Sequence, residues 1–482
     1  MSRTPAAGGQ ASQISQAAST RLAKQSETEQ SGAFSWRFVT PLYMGSAFNP
    51  LNSTLIATAL VPIAHSMGVS VGRTAVLVSV LYLASSVAQP TFGKLSEELG
   101  PRRVFLAGIV LVLVGGLIGG LAPSLMTLII SRAVIGIGTS AGYPSAMVLV
   151  RRRAARAGLD APPGKILGGL ALVSLTLIAV GPPLGGLLVG LLGWRSTFFL
   201  NVPFALAGLV MTVLWVPRDP AIAVRGRLGE ITSRVDVPGI AGFGGMMTAL
   251  LVFLLGLPHV SWAPLAITAL IGTALVLWEL RATTPFLDVR QLVSNGALMR
   301  TYLRGGLTFL GLYTVLYGLT QWLEAGHGYF PEAAGLLILP MGALAALASL
   351  WVSRRNLIRW PLIVTGASML AASLLTLLLN GHSPAVLIIA VTLGFGVTMG
   401  TTTVGNQTAL YTQAPPAQLG TAAGLFRTFG YVGSIASSTI TGIVFHTGVT
   451  DSGLHSVAWI LVGVSFLVLV MTLADRRLPL RA

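Results

Sequence analysis

Long uninterrupted apolar runs are the feature of this sequence that most restricts its fold. The stretch from Val104 to Leu121 is apolar on every face, and similar runs follow one another along most of the chain. A hydrocarbon core about 30 Å thick is crossed by roughly 20 residues of α-helix. A membrane β-barrel is excluded, because its strands alternate apolar and polar residues. The sequence therefore predicts an all-α membrane protein.

The composition agrees with this fold class and excludes several chemistries. Only 9% of the residues are charged, whereas a soluble domain has about 25%. The absence of cysteine and the scatter of the six histidines remove the usual ligand sets for a metal site. We find no nucleotide-binding loop or catalytic triad in the sequence. We therefore expect no metal, no cofactor and no enzymatic activity.

Apolar length, together with Pro, Gly and Arg punctuation, predicts about fourteen transmembrane spans in a six, two, six arrangement. The predicted spans are 41–64, 74–93, 104–121, 125–149, 167–191 and 197–216, then 238–257 and 263–280, then 301–323, 332–352, 360–379, 384–410, 419–445 and 455–474. The predicted domains are a disordered cytoplasmic tail (1–35), a six-helix bundle (36–217), a linker with two extra helices (218–298), a second six-helix bundle (299–475) and a cytoplasmic tail (476–482).

The net charge of +16 is explained by topology. With fourteen spans, all but five of the 30 Lys and Arg residues fall on the side of both termini. Arg73 and Arg195 fall opposite, and Arg132, Arg304 and Arg427 lie within spans. Basic residues are retained on the cytoplasmic side during insertion. We therefore expect a multi-pass protein of the cell membrane with both termini cytoplasmic, which contacts lipid and not nucleic acid.

The loop after the second span carries a recognisable motif. Residues 93–103 read GKLSEELGPRR, which resembles the signature loop of the major facilitator superfamily, with Glu97 where that family usually has aspartate. The resemblance implies a conformational latch formed by Gly93, Glu97, Gly100, Arg102 and Arg103. A carboxylate facing arginines can hold two helices together in one state and part in another. The alternative is a solvated loop that only sets topology.

Two further motifs lie in the fourth and fifth spans. Arg132 and Gly136 stand in LIISRAVIGIG, which looks like a second motif of the same family. A buried arginine is costly in a membrane and indicates function, or else it pins helices by bonding to backbone carbonyls of span one. The run GPPLGG, with Gly181, Pro182, Gly185 and Gly186, resembles the motif of exporters. Its small residues also suit any close helix contact.

Other segments are similar to the fourteen-span multidrug (drug:proton antiporter) efflux branch. They are GWRSTFFLNVP at 193–203, VDVPG at 235–239 and PFLD at 285–288. The resemblance covers about 35–475 and implies two six-helix bundles plus an inserted helix pair. It also implies a monomeric secondary transporter that exports small amphiphilic molecules, drug-like or metabolite, by alternating access, with protons as the coupling ion.

The sequence departs from that branch in its acidic residues. Asn52 stands where the branch usually has an aspartate, and an amide cannot carry a proton. Glu324, at the end of the ninth span, is the one acid near the transport path. It is the candidate for proton coupling, and a solvated loop acid is the equal alternative. Arg132, Arg304 and Arg427 lack obvious acidic partners in the sequence, so we expect a cavity that favours neutral or acidic substrates.

Polar and aromatic residues inside apolar spans are candidates for the substrate cavity, although Thr and Asn also serve as hydrogen-bonding glue between helices. The candidates are Asn49, Asn52, Thr58, Arg304, Tyr313, Tyr317, Gln321, Thr402, Asn406, Gln407 and Arg427. A facilitator or exchanger that needs no gradient is the alternative function for an anionic or neutral metabolite. A membrane sensor or enzyme on the same scaffold is a third and weaker alternative, since no residues carry its chemistry.

Overall fold

The computed structural model describes residues 34–159, 164–220, 236–256, 261–282, 285–287, 289–355, 357–414, 419–475 and 478, and they contain no β-strand. The helices are α1 (Trp36–Leu55), a 3₁₀ turn (Ile56–Ala59), α2 (Leu60–Met67), α3 (Val71–Glu98), α4 (Pro101–Gly120), α5 (Leu125–Ser140), α6 (Gly142–Arg156), α7 (Gly164–Leu192), α8 (Ser196–Phe199), α9 (Asn201–Trp215), α10 (Val237–Leu255), α11 (Trp262–Glu279), α12 (Val289–Ser294), α13 (Gly296–Gln321), a π-helical turn (Trp322–Gly326), α14 (Pro331–Arg355), α15 (Arg359–Thr376), α16 (Ala385–Gln413), α17 (Leu419–Val444) and α18 (Asp451–Ala474).

Helix length and hydropathy fit a membrane protein. Eleven helical stretches of the described residues are long and apolar enough to cross a bilayer. The helices α13, α15 and α17 have 26, 18 and 26 residues, which is enough for a core about 30 Å thick. All three pack among the other eleven. Together these helices correspond to the fourteen predicted spans.

Helix contacts divide these spans into two bundles and a pair. In the first bundle, α1 packs on α7 and α9, α3 packs on α5, and α4 packs on α5 and α9. In the second, α13 packs on α17, α14 packs on α16, and α15 packs on α16 and α18. The bundles meet along two seams, α3 with α17 and α7 with α14. Within the first seam, the hydroxyl oxygens of Ser79 and Ser438 lie 2.6 Å apart.

The inserted pair consists of α10 and α11, which pack on each other, while α10 also contacts α3. Asp236 caps α10 by accepting a hydrogen bond from the Gly239 amide (3.1 Å), and it also accepts from the Trp278 indole and the Phe286 amide, both at 2.8 Å. The Lys94 ammonium donates to the Pro285 carbonyl oxygen (3.1 Å). The motifs that flank the pair in the sequence therefore tie it together and attach it to α3.

Some local features differ from the prediction. The first span contains a 3₁₀ turn, and the fourth is two helices that meet at Ala141 rather than one helix over 125–149. At that junction Gly142 lies against the Gly45 carbonyl, where a Cβ atom would overlap it. The short helices α8 and α12 were not predicted. The predicted tails, 1–35 and 476–482, lie almost wholly outside the described residues.

The helix ends form two faces of the molecule. The basic face is the set of helix ends near Arg102, Arg152 and Arg354. The opposite face is the set of helix ends near Gly193 and Gly328.

Candidate functional site

Four tyrosines meet between the two bundles. The ring centroid of Tyr82 on α3 lies 5.3 Å from that of Tyr313 and 5.8 Å from that of Tyr431, and Tyr313 stacks on Tyr317 at 5.7 Å. The Tyr317 hydroxyl donates to the Ser53 carbonyl oxygen (2.9 Å) and lies 3.1 Å from the Tyr82 hydroxyl. Two predicted cavity residues, Tyr313 and Tyr317, thus belong to an aromatic cluster that joins the bundles.

Arg132 links three helices of the first bundle. Its side chain is 2% exposed. From α5, Nε donates to the Leu77 carbonyl oxygen on α3 (3.0 Å), and Nη1 donates to the Asn52 carbonyl oxygen on α1 (3.2 Å). Among the described residues Nη2 has no hydrogen-bond partner. The backbone contacts match the helix-pinning alternative. Gly136 on the same helix lies so close to the Leu81 carbonyl that a Cβ atom would overlap it.

Asn52 lies in a satisfied amide pair and not at an open cavity wall. Its Nδ2 donates to Asn201 Oδ1 at 2.7 Å, and Asn201 Nδ2 donates back to Asn52 Oδ1 at 3.0 Å. Both side chains are buried. Reciprocal amide bonds satisfy most of the hydrogen-bonding capacity of both groups and hold α1 against α9. The prediction that Asn52 lines the substrate cavity is therefore replaced by a role in helix packing.

Arg304 has an acidic partner, contrary to the expectation from the sequence. Its Nη1 lies 3.9 Å from Asp475 Oδ2, and Arg300 lies 3.0 Å from Asp475 Oδ1. The Arg304 Nε donates to Asn406 Oδ1 (2.9 Å), and Nη2 donates to Thr301 (3.0 Å). The expectation of an uncompensated charge here is wrong, because Asp475, just past the end of α18, lies beside both arginines. This cluster stabilises the basic face of the second bundle.

Arg427 reaches from the second bundle to the first. Its guanidinium carbon lies 4.0 Å from the centre of the Tyr143 ring on α6. A cation over an aromatic face is attracted by roughly 0.5–2 kcal/mol. Arg427 and Arg132 therefore remain as the positive groups beside the tyrosine cluster.

The other cavity candidates occupy several separate places. Asn49 donates to Ser85 (3.3 Å) and Thr139 (3.1 Å). Thr58 bonds to its own helix at Leu55, and Thr402 accepts from Asn406 (2.8 Å). Gln407 is half-buried. Asn49 fits the alternative of interhelical glue, since its hydrogen bonds join α1 to α3 and α5, whereas the bonds of Thr58 and Thr402 are local.

A carboxylate from outside the signature loop contacts that loop, and the motif did not indicate it. Asp219, which follows α9, accepts hydrogen bonds from the backbone amides of Arg102 (3.4 Å) and Arg103 (2.9 Å) at the start of α4. Its carboxylate also lies 3.7 Å from the Arg152 guanidinium. An acid is favoured at this place by the positive end of the helix dipole. Gly100 has a φ of 100°, and a side chain there would collide with Asp219.

Glu97 occupies a different place from the one predicted. Its side chain is exposed at the end of α3, and its backbone carbonyl, rather than its carboxylate, accepts a bond from Arg152 (3.3 Å). The Arg102 and Arg103 side chains donate to the carbonyls of Val213 (2.9 Å) and Leu99 (3.1 Å). In this conformation the carboxylate that contacts the start of α4 is therefore that of Asp219. Gly93 lies nearby on α3, with Pro144 of α6 about 4 Å from the position of a Cβ atom.

Asp219→Asn is expected to weaken this closed arrangement of the basic face. The change removes a charge that accepts two backbone hydrogen bonds, and bonds to charged groups contribute about 1.5–3 kcal/mol. We expect a lower rate of transport. Cysteines introduced beneath the loop at 93–103 should also react faster with a thiol-labelling reagent. Glu97→Gln is the matched control, since its carboxylate is exposed. Equal labelling in both variants would contradict the assignment to Asp219.

The exporter-like motif lies where α7 contacts two neighbours. Gly181 and Gly185 face Thr54 and Leu55 of α1, and Gly186 faces the Pro331 carbonyl at the start of α14. A Cβ atom on any of the three glycines would come closer than van der Waals contact. Gly335 of α14 lies in the same way against the backbone of Pro182 and Pro183. These contacts close the α7–α14 seam at the opposite face.

Glu324 lies in the π-helical turn that follows α13, and it is 7% exposed. Neither of its carboxylate oxygens has a hydrogen-bond partner among the described residues. Burial raises the pKa of this carboxyl well above its usual value, and the nearby charge of Glu332 raises the pKa further. Gln321, one turn earlier, is 1% exposed, and both of its amide atoms lack partners. The alternative of a solvated loop acid does not fit this burial.

Comparison with known proteins identifies the family. The family model described as Major Facilitator Superfamily matches residues 42–438. The chain belongs to the major facilitator superfamily. Its relatives are transporters and not enzymes. The two bundles and the inserted pair described above are this superfamily's fold with two additional helices.

Individual relatives and structures support the assignment. YwoD of Bacillus subtilis (strain 168), an uncharacterized MFS-type transporter, is 32% identical over 86% of this chain and 91% of its own length. The tetracenomycin C resistance and export protein of Streptomyces glaucescens is 27% identical over 86% and 77%. A POT family transporter crystallised with 5-aminolevulinic acid superposes with a TM-score of 0.65 at 15% identity, over 90% of this chain and 96% of that one. At this identity the superposition supports the fold alone.

Proposed function

We propose that this protein exports small amphiphilic molecules in exchange for protons by alternating access. The observation that carries the proposal is the closed α7–α14 seam beside Glu324, a buried carboxyl group without a partner. Such a group takes up a proton as the opposite face closes over it, and it releases the proton toward the basic face when water and counter-charges reach it from that side. The two bundles rock about the tyrosine cluster and open one face at a time.

Relatives support the direction of transport. Besides the tetracenomycin C protein, the multidrug resistance protein Stp of Mycobacterium tuberculosis (strain CDC 1551 / Oshkosh) is 29% identical over 82% of this chain and 73% of its own length. We propose by analogy that the present chain moves its substrate outward. The basic face is then cytoplasmic, the opposite face is extracytoplasmic, and the protein works as a monomer in the cell membrane. We also propose that the first bundle, the segment with the inserted pair and the second bundle have the predicted boundaries 36–217, 218–298 and 299–475.

The substrate class follows from charge near the tyrosine cluster. Among the described residues, one nitrogen of Arg132 has no hydrogen-bond partner, and Arg427 lies near the Tyr431 hydroxyl. These positive groups favour neutral or acidic aromatic compounds over cations. Competition between acidic and cationic compounds of similar size tests the preference. Stronger competition by the cations would contradict it.

A facilitator or exchanger that needs no gradient is the second candidate. It is favoured by Asn52, whose amide pair with Asn201 provides no proton-binding group in span one. The two functions can be distinguished in efflux-deficient cells that express the protein. The measurement is the accumulation of neutral, acidic and cationic fluorescent compounds. Proton-driven export predicts low accumulation that rises when the proton gradient is collapsed. Export that is unchanged by this collapse would support the facilitator or exchanger.

A further inference from the structure

Three polar side chains at the end of α13 and the start of α14 have buried atoms without the hydrogen bonds that burial requires. Gln321 and Glu324 lie one turn apart, and Glu332 is the second residue of α14. Within the described part of the chain, both polar atoms of Gln321, both carboxylate oxygens of Glu324 and Oε2 of Glu332 are buried without a hydrogen-bond partner. Unsatisfied buried polar groups cost about 1–3 kcal/mol each, so a group of them indicates a ligand that binds there.

The position of Glu332 places this group in the seam between the bundles. Its carboxylate lies directly against Gly190 of α7, where a Cβ atom would overlap it, and the preceding Pro331 lies against Gly186. The charge of Glu332 acts on Glu324. When the seam opens, α7 leaves and water reaches both acids. The acids are therefore buried together only while the opposite face is closed.

Within the described part of the chain, neither Glu324 nor Glu332 forms an ion pair with a lysine, arginine or histidine. Residues 181–192 of α7 contain no charged residue. On the other side, His327 lies 2.7 Å from Asp451 of α18, and this aspartate also accepts from the Trp322 indole (2.8 Å). The His455 ring is 2.7 Å from the Leu379 carbonyl oxygen. Both histidines contact other groups within the second bundle, and two ionised carboxylates in such a place would repel each other.

We propose that Glu324 and Glu332 form a proton-binding site that is completed when α14 closes on α7. The inference rests on the proposed function and adds a second carboxyl group to it. Glu324 holds the proton, and the nearby charge of Glu332 favours its retention. Burial of Glu324 beside Glu332 raises the affinity of Glu324 for protons in the closed state. Low pH therefore stabilises closure, and closure is lost as the pH rises through the raised pKa of Glu324.

Distance measurements between spin labels test this linkage without relying on transport. The chain has no cysteine, so labels can be attached at Leu121→Cys and Val386→Cys, which lie on different bundles at the opposite face and are 70% and 74% exposed. In liposomes without substrate or gradient, we expect the closed fraction to fall as the pH rises. Linkage to one proton changes the ratio of closed to open protein by up to about tenfold per pH unit.

Substitutions assign the effect to the acid pair. Glu332→Gln is expected to reduce the pH dependence and to favour the closed state at high pH, and Glu324→Gln with Glu332→Gln should remove the dependence. Glu98→Gln, at an exposed acid on the basic face, should leave it unchanged. A wild-type pH dependence in the double variant would overturn the proposal.

The outcome is distinguishable from a failure of proton-driven export. Export that does not depend on the proton gradient would contradict the antiport function, and loss of the pH-dependent distances in the Gln variants would still support the acid pair. Export that depends on the gradient would support the antiport function, and wild-type distances at every pH in the Gln variants would contradict the acid pair.

Discussion

Replacement of Glu324 by glutamine is expected to abolish uphill export while exchange of substrate across the membrane continues. Glutamine keeps the size of the side chain and cannot gain or lose a proton. One charge moving through 100 mV supplies about 2.3 kcal/mol, which corresponds to a concentration ratio of roughly 50-fold at 1.4 kcal/mol per tenfold. The variant should lose the ability to build a substrate concentration gradient of this size. Substrate accumulation in proteoliposomes with an imposed proton gradient measures it.

The exchange assay provides the internal control for Glu324→Gln. Counterflow of labelled substrate requires both faces to open but needs no net proton movement, so it should persist. Glu97→Gln, which changes an exposed carboxylate, should keep uphill export. Normal uphill export in Glu324→Gln would remove this residue as the coupling group, and loss of both export and counterflow would indicate a structural role instead.

Local patterns in the sequence predicted the fold and the family. Apolar runs of about 20 residues predicted the spanning helices, because hydrophobic length is a property of each segment by itself. The family expectation from the loop at 93–103 is confirmed by the match over residues 42–438. The small residues Gly181, Gly185 and Gly186 indicated close helix contacts, and each faces a neighbouring helix in the structure. These features depend on spacing within one helix or one loop.

The partners of the buried polar groups were not predictable in this way. Asp219 bonds to the Arg102 amide from 117 positions away, and Asn52 bonds to Asn201 from 149 positions away. Asp475, at the end of the last helix, pairs with Arg304. Each pairing arises because helices that are distant in the chain pack side by side, and no local pattern records it. A candidate site inferred from residue types therefore included groups that bond to one another.

Gly186→Leu is expected to abolish transport with little effect on membrane insertion. A Cβ atom at this position would overlap the Pro331 carbonyl oxygen, which belongs to backbone and cannot rotate away. The overlap exists only while α14 packs against α7, so the substitution penalises one state of the cycle. The protein should accumulate with the opposite face open. Spin-label distances across that face should lengthen, and export should fall to the background of cells without the protein.

Gly168→Leu on the same helix separates this effect from a general effect of leucine in α7. A Cβ atom at Gly168 has no atom of the described residues within 4 Å, so the larger side chain meets open space there. Both substitutions add the same apolar group to one spanning helix, and they differ in whether the group lies in the seam. Export by the Gly168 variant should therefore match wild type. If both variants export, the cycle does not require close contact at Gly186. If both variants lose export, the defect lies in the folding of α7.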